Sequence, residues 1–146
     1  MIELFTDGGC SGNPGPGAWA FVAVQNNLIK SSCSGADKST TNNKMELQAV
    51  INALVWAQKE ASGQELRIIT DSRYVQLGIT QWMLNWEKNG WKTANKKPVK
   101  NLDLWLKLKS LNAELKPQWA WVQGHAGNTY NEACDVMVQE EIRKIR

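Results

Sequence analysis

The order in which strand-like and helix-like segments follow one another does most to restrict the folds open to this chain. Three strand-like runs come first: "IELFTD", then "AWAFVAVQ" and "LIKSSCSG". The last two are parted by Asn26-Asn27, a pair that accepts the positive φ of a tight hairpin turn. The hydrophobic period then changes. In "NNKMELQAVINALVWAQKEA", Met45, Ala49, Ile51, Leu54 and Val55 recur at helical spacing, and Gly63 lies just beyond. A strand "ELRIITD" follows, and then a helix "SRYVQLGITQWMLNW" opened by a serine cap. After the polar, broken stretch "GWKTANKKPVKN" come a helix "LDLWLKLKSLNAEL" stopped before Pro117, a strand "QWAWV" and a last helix "NTYNEACDVMVQEEIRKI". Strands joined by a short turn pair antiparallel, whereas strands parted by a helix are joined through a crossover and pair parallel. The order therefore predicts an α/β chain with one mixed sheet, antiparallel in its first part and parallel in its second.

At 146 residues the chain is expected to form a single domain over residues 1–146, since no repeat, low-complexity tract or linker divides it. No apolar stretch is long enough to cross a bilayer, so no membrane association is expected. Glu3 and Asp7 interrupt the opening run, which no signal-peptide core would tolerate, so the expected compartment is the cytoplasm. Cys10, Cys33 and Cys134 are odd in number and lack CxxC spacing, and His125 is the one histidine. That composition speaks against a zinc site and a disulfide framework; free thiols are expected, with a single bridge left open.

Gly15-Pro16-Gly17-Ala18-Trp19-Ala20 satisfies the G-x-G-x-x-G/A pattern of dinucleotide-binding loops. Such a loop must open a helix whose N-terminus receives the pyrophosphate. Here "AWAFVAV" continues as a strand, so the match is accidental. The glycines and prolines instead make a stiff connection close to Asp7.

Net charge is only +3, but it is unevenly spread. Between Gln81 and Lys116 lie Lys88, Lys92, Lys96, Lys97, Lys100, Lys107 and Lys109, interleaved with Trp82, Trp86, Trp91 and Trp105. Basic residues among flat rings suit a nucleic-acid backbone. A solvated helix face above core tryptophans explains the same composition equally well.

Acidic residues carry the chemistry. "LFTDG" and "IITDS" are both apolar runs that end in Thr-Asp, placing Asp7 and Asp71 at strand ends, where functional groups gather in sheets with parallel crossovers. Taken singly, each aspartate also reads as a turn cap. Glu46 falls on or beside the apolar side of its helix, with Ala49, Val50, Ala53 and Leu54 one and two turns on. With Asn43 as N-cap it would occupy a capping-box position. Asp135 shares a side with Val138 and Ile142 and has no such explanation. An unpartnered buried carboxylate costs several kcal/mol, so acids gathered at one site call for cations. All-oxygen ligation favours magnesium or manganese over zinc. Two such ions roughly 4 Å apart suit in-line phosphoryl displacement.

"FTDGGCSGNPGPGAW", "TTNNKMEL", "ITDSRYV", "GITQWMLNWEKNGWKTANKKPVKNLDLW" and "WVQGHAGNTYNEACD" closely resemble the successive motifs of bacterial type 1 ribonuclease H. The resemblance runs in order from about Ile2 to Asp135. It implies a five-stranded mixed sheet flanked by helices. It also implies endonucleolytic cleavage of the RNA strand of RNA–DNA hybrids, leaving 5′-phosphate and 3′-hydroxyl ends, with little sequence preference. Asp7, Glu46, Asp71 and Asp135 match the family's metal-binding carboxylates, for two Mg2+ ions when substrate is bound, with Mn2+ as the alternative. His125 matches a loop histidine that helps move protons or release product. Cys10, Asn13, Asn42 and Asn43 match residues facing the hybrid's minor groove, where 2′-hydroxyls distinguish RNA from DNA. Thr41 and Asn101 match a pocket for a DNA-strand phosphate, a contact that positions without reading sequence. Trp82 and Trp86 match aromatics of a basic protrusion, whereas Trp91 and Trp105 are expected in the core.

The chain departs from the family pattern at Glu87 and Asn89, where relatives often carry basic residues, and at Arg73, where glutamine is expected. The first departure predicts a weaker electrostatic grip on hybrids. Nothing in the sequence asks for more than a monomer or for an obligate protein partner. Two rival readings are a hybrid-binding module that lost the chemistry, against which the complete acid set argues, and a DNA-directed enzyme of the same fold, against which "TTNN" and the basic segment argue.

Overall fold

The computed structural model describes residues 1–123 and 129–146. Along the chain run β1 (Ile2–Cys10), β2 (Gly15–Gln25), β3 (Leu28–Thr40), α1 (Asn42–Glu60), β4 (Leu66–Thr70) and α2 (Arg73–Leu77). A π turn (Gly78–Trp82) leads into α3 (Met83–Lys88), followed by α4 (Leu102–Leu115), β5 (Gln118–Trp121) and α5 (Thr129–Ile145). The five-stranded sheet has the order β3-β2-β1-β4-β5. β1–β2 and β2–β3 are antiparallel, while β1–β4 and β4–β5 are parallel, as the element order predicts. The hairpin turn carries Asn26 at φ 53° and Asn27 at φ 62°, the left-handed pair that lets two strands reverse within two residues.

The sheet is covered on both sides, and strand alternation decides which side chain goes where. Ile2, Leu4, Phe21, Ala23, Leu66 and Ile68 pack with Leu47, Ile51 and Leu54 of α1 and with Trp105 and Leu108 of α4. Phe5, Ala20, Val22 and Ile69 pack on the other side against Cys134, Val138 and Ile142 of α5. Among the described residues no helix is long and apolar enough to cross a membrane.

Several elements differ from their sequence reading: β1 does not end at Asp7 but runs on to Cys10. β3 continues five residues past "LIKSSCSG" to Thr40, and β2 begins at Gly15 instead of Ala18. Both extensions are pairing effects: Gly15 faces Thr40 and Gly17 faces Cys10. Ladder hydrogen bonds recruit residues whose own propensity is for turns. The helix expected from Ser72 onward does run on, but through a π turn at Gly78. A Cβ there would overlap the Trp105 ring, so the bare backbone is what lets α4 pack close.

Candidate active site

The two Thr-Asp pairs lie side by side because of their register, Asp71 just past the end of β4 and Asp7 within β1, which runs on to Cys10. Phe5 pairs with Ile69 in the parallel ladder, so Thr6 and Asp7 continue beside Thr70 and Asp71. Asp7 and Asp71 share the parity of Phe5 and Ile69, whose side chains face α5. The threonines do the fastening. Thr6 Oγ1 donates to the Ile69 carbonyl at 3.4 Å, tying the strands together at this end. Thr70 Oγ1 accepts the Ser72 N–H at 3.0 Å, and Ser72 Oγ accepts the Val75 N–H at 3.1 Å as the cap of α2. Asp71 is thereby held in a tight turn between strand and helix.

Glu46 arrives from the opposite layer. The cap of α1 is Thr41, whose hydroxyl accepts the Lys44 N–H at 3.3 Å, and not Asn43. The helix thus begins two residues earlier than a cap at Asn43 would require, and the capping-box explanation of Glu46 fails. Glu46 is only 6% exposed, and its Oε2 has no hydrogen-bond partner among the described residues. Asp7, Glu46 and Asp71 each offer a carboxylate oxygen, and these oxygens all lie within 4.8 Å of one another. Asp135 is outside that set. It nonetheless lines the same pocket as Asp7, Asp71, Asn131 and Glu132, and its side chain hydrogen-bonds Asp7.

Such crowding shows in the acidities. Burial, then the charges of Asp71 and Asp135, push Asp7 up to about 7. Burial, then Asp7 and Asp71, raise Glu46 well above the usual carboxylate range. In both groups the crowding favours the protonated form, which a divalent cation would oppose, and the orphaned Glu46 oxygen is free to serve as a ligand. The donor set, all carboxylate oxygen, fits a hard cation. Beside Asp135, Cys134 is buried, its thiol donates to the Phe5 carbonyl at 3.3 Å, and burial raises it to about 12; it pins α5 to β1 as an unreactive thiol. Cys10, Cys33 and Cys134 are all free.

Residues expected to touch substrate are held by contacts of their own. The Cys10 thiol contacts the carbonyls of Gly15 at 3.2 Å and Thr40 at 3.3 Å. Asn13 Oδ1 accepts the Asn42 N–H at 3.1 Å, joining the glycine-proline loop to the start of α1, where Asn42 and Asn43 are exposed. Asn101 caps α4 in the left-handed conformation and donates from Nδ2 to the Tyr74 hydroxyl at 3.1 Å. Trp82 and Trp86 are half-buried, with ring centroids 5.9 Å apart. Trp86 also packs 5.9 Å from Trp91 and 5.4 Å from the fully buried Trp105. The two sequence readings of this segment thus combine: the rings pack inward while Lys88, Lys92, Lys96, Lys97 and Lys100 stay exposed. Glu87 pairs with Lys109 at 3.5 Å. The guanidinium of Arg73, two residues after Asp71 in the chain, lies 5.7 Å from the Trp121 ring. His125 lies outside the described residues.

Sequence reasoning passed over Glu132, which lines the acidic pocket. Its signal was present, one turn before Asp135 on the same helix side. The repeated threonine of the Thr-Asp pairs was visible too, but read only as strand.

A family model described as RNase H matches residues 1–143 of the chain. A ribonuclease H of Treponema denticola is 50% identical, covering 99% of this chain and 98% of its own. One from Mesorhizobium japonicum is 52% identical over 96% of this chain and 77% of its own. Among solved structures, LC9-RNase H1, a type 1 RNase H with the type 2 active-site motif, superposes with a TM-score of 0.84 at 26% identity, covering 99% of this chain and 73% of that one. LC11-RNase H1, solved in complex with an RNA/DNA hybrid, shares the fold at 22% identity and a TM-score of 0.71, covering 99% and 98%.

Proposed function

Because this chain belongs to the RNase H family, we propose that it is a metal-dependent endoribonuclease that cleaves the RNA strand of RNA–DNA hybrids, with residues 1–146 acting as one catalytic domain. The products carry 5′-phosphate and 3′-hydroxyl ends, and sequence preference is slight. The observation that carries this reading is the meeting of Asp7 of β1, Glu46 of α1 and Asp71 just after β4 within 4.8 Å, with Asp135 in the same pocket.

Asp7 and Asp71 would hold both of two Mg2+ ions, with Mn2+ as the alternative, Glu46 supporting one and Asp135 the other. Bound there, such ions supply Lewis acidity for the scissile phosphate and lower the pKa of an attacking water. Their charge would favour the ionised form of Asp7, which burial and its acidic neighbours disfavour. Cys10, Asn13, Asn42 and Asn43 face the minor groove and sense 2′-hydroxyls. The Asn13–Asn42 hydrogen bond supports this reading, since it joins the two segments concerned. Thr41 and Asn101 take a DNA-strand phosphate, and Trp82 and Trp86 lie against the DNA sugars. Arg73, steadied by Trp121, adds a cation near the cleavage site. His125 assists proton movement or product release. The protein works as a cytoplasmic monomer, without membrane or obligate protein partner.

Incubation with labelled hybrid, double-stranded RNA and duplex DNA, with and without Mg2+, tests the reading. Cleavage confined to the RNA of the hybrid and dependent on the metal is expected. Cutting of duplex DNA, or binding of hybrid without cleavage at any metal concentration, would replace this reading by one of its rivals.

A further inference from the structure

Tyr74 stands three residues after Asp71, and nothing in its sequence position marks it. Its hydroxyl accepts the indole N–H of Trp105 at 3.0 Å and the amide Nδ2–H of Asn101 at 3.1 Å. Trp105 is fully buried, so its donor needs that oxygen. Ring packing at 5.3 Å from Trp105 and 5.6 Å from Trp82 fixes the tyrosine further. Asn101 is unusual in its own right. It is the N-cap of α4 with φ 58° and ψ 33°, yet its side chain makes no capping bond. An asparagine at a helix start ordinarily turns its side chain onto the first-turn amides. Here the left-handed backbone turns it away from them and onto Tyr74.

We propose that Tyr74 is a positioning residue for the DNA-strand phosphate contact. By holding the Asn101 amide, it ties that contact to the helix that starts directly after Asp71. The distance between the anchored DNA phosphate and the cleaving carboxylates is then set by a short, rigid path through Ser72, Tyr74 and Asn101. This inference rests on the hybrid-cleaving reading and on Asn101 as a phosphate contact.

Steady-state kinetics on an RNA–DNA hybrid test it with the wild type, Tyr74→Phe, Asn101→Ala and the double variant. Tyr74→Phe is expected to raise KM about three- to tenfold, the scale of one neutral hydrogen bond, with kcat nearly unchanged. Adding Tyr74→Phe to Asn101→Ala should change KM no further, because Tyr74 acts through Asn101. Both groups are uncharged, so the slope of affinity against salt should stay that of the wild type. Trp105→Phe, which leaves the Tyr74–Asn101 bond in place, should lower the melting temperature without moving KM. Should Tyr74→Phe alone not fold, Tyr74→Phe/Trp105→Phe, which also removes the orphaned indole donor, is compared with Trp105→Phe. A lowered melting temperature with unchanged KM, or KM effects that add, would overturn the proposal, as would an Asn101→Ala variant with wild-type KM. A wild type that does not cleave hybrids overturns the functional reading itself, a different result from any of these.

Discussion

Gly8 of β1 lies directly beneath Glu46 of α1: a Cβ on Gly8 would stand 2.5 Å from the Glu46 backbone nitrogen. Gly8 has the parity of Ile2 and Leu4, whose side chains face α1. Only a residue without a side chain lets the helix settle there, and only a helix at that height brings the Glu46 carboxylate to Asp7 and Asp71. The clash would be with backbone, which has no rotamer to yield.

Gly8→Ala should therefore push α1 outward, costing about 1–3 kcal/mol of stability and lowering kcat at least tenfold. Thermal melting and hybrid cleavage at saturating Mg2+ measure the two. A variant with wild-type turnover would show that Glu46 does not need this seat.

Asp7→Asn should abolish cleavage while leaving hybrid binding largely intact, because substrate is gripped elsewhere. It should also be more stable than the wild type in metal-free buffer near pH 8, by about 1–3 kcal/mol, since one of the crowded negative charges is gone. Mg2+ should stabilise the wild type and not the variant. Equal thermal shifts with Mg2+ in the two proteins would remove Asp7 from the metal centre.

The raised acidities give a pH dependence with a definite sign. Asp7 titrates near 7 in the folded chain against an ordinary 3.8. Between these values the folded protein keeps a proton that the unfolded chain has lost, so metal-free stability falls as pH rises through that window. Mg2+ binding would compete with that proton, so metal affinity should rise with pH across the same window. Chemical denaturation and calorimetric Mg2+ titration between pH 5 and pH 8.5 are the measurements. Mg2+ affinity that does not change with pH would contradict the assignment.

Glu87 places a negative charge among exposed lysines and pairs with Lys109 at 3.5 Å, both side chains about two-fifths exposed. Such a pair contributes about 0–1 kcal/mol to folding. Glu87→Lys should thus leave the melting temperature nearly unchanged while tightening hybrid binding and steepening its loss with salt. Hybrid affinities at several salt concentrations decide it; an unaltered slope would mean that this helix does not face the substrate.

Much of this was legible in the sequence wherever the cause is local. Asn26-Asn27 forces a hairpin turn through its own φ preference, and the period of α1 alone shows which face it buries. The repeated Thr-Asp pairs pointed to Asp7 and Asp71, but only Asp71 stands where its strand stops; β1 runs on past Asp7 to Cys10, and it is the pairing with β4 that gives out there. Glu46 was ambiguous: a cap at Asn43 or at Thr41 changes its role, and neighbouring residues of similar capping power do not choose between them. That choice falls to Gly8, far away in sequence, which admits the helix at one height. The same holds for the strand extension to Thr40, the π turn over Trp105 and the turning of Asn101 onto Tyr74. Each is decided by a partner tens of residues distant, through excluded volume or a hydrogen bond that exists only once the layers have packed. Local preferences determined the elements and most of the acids; close packing between layers decided the distances at which those acids meet.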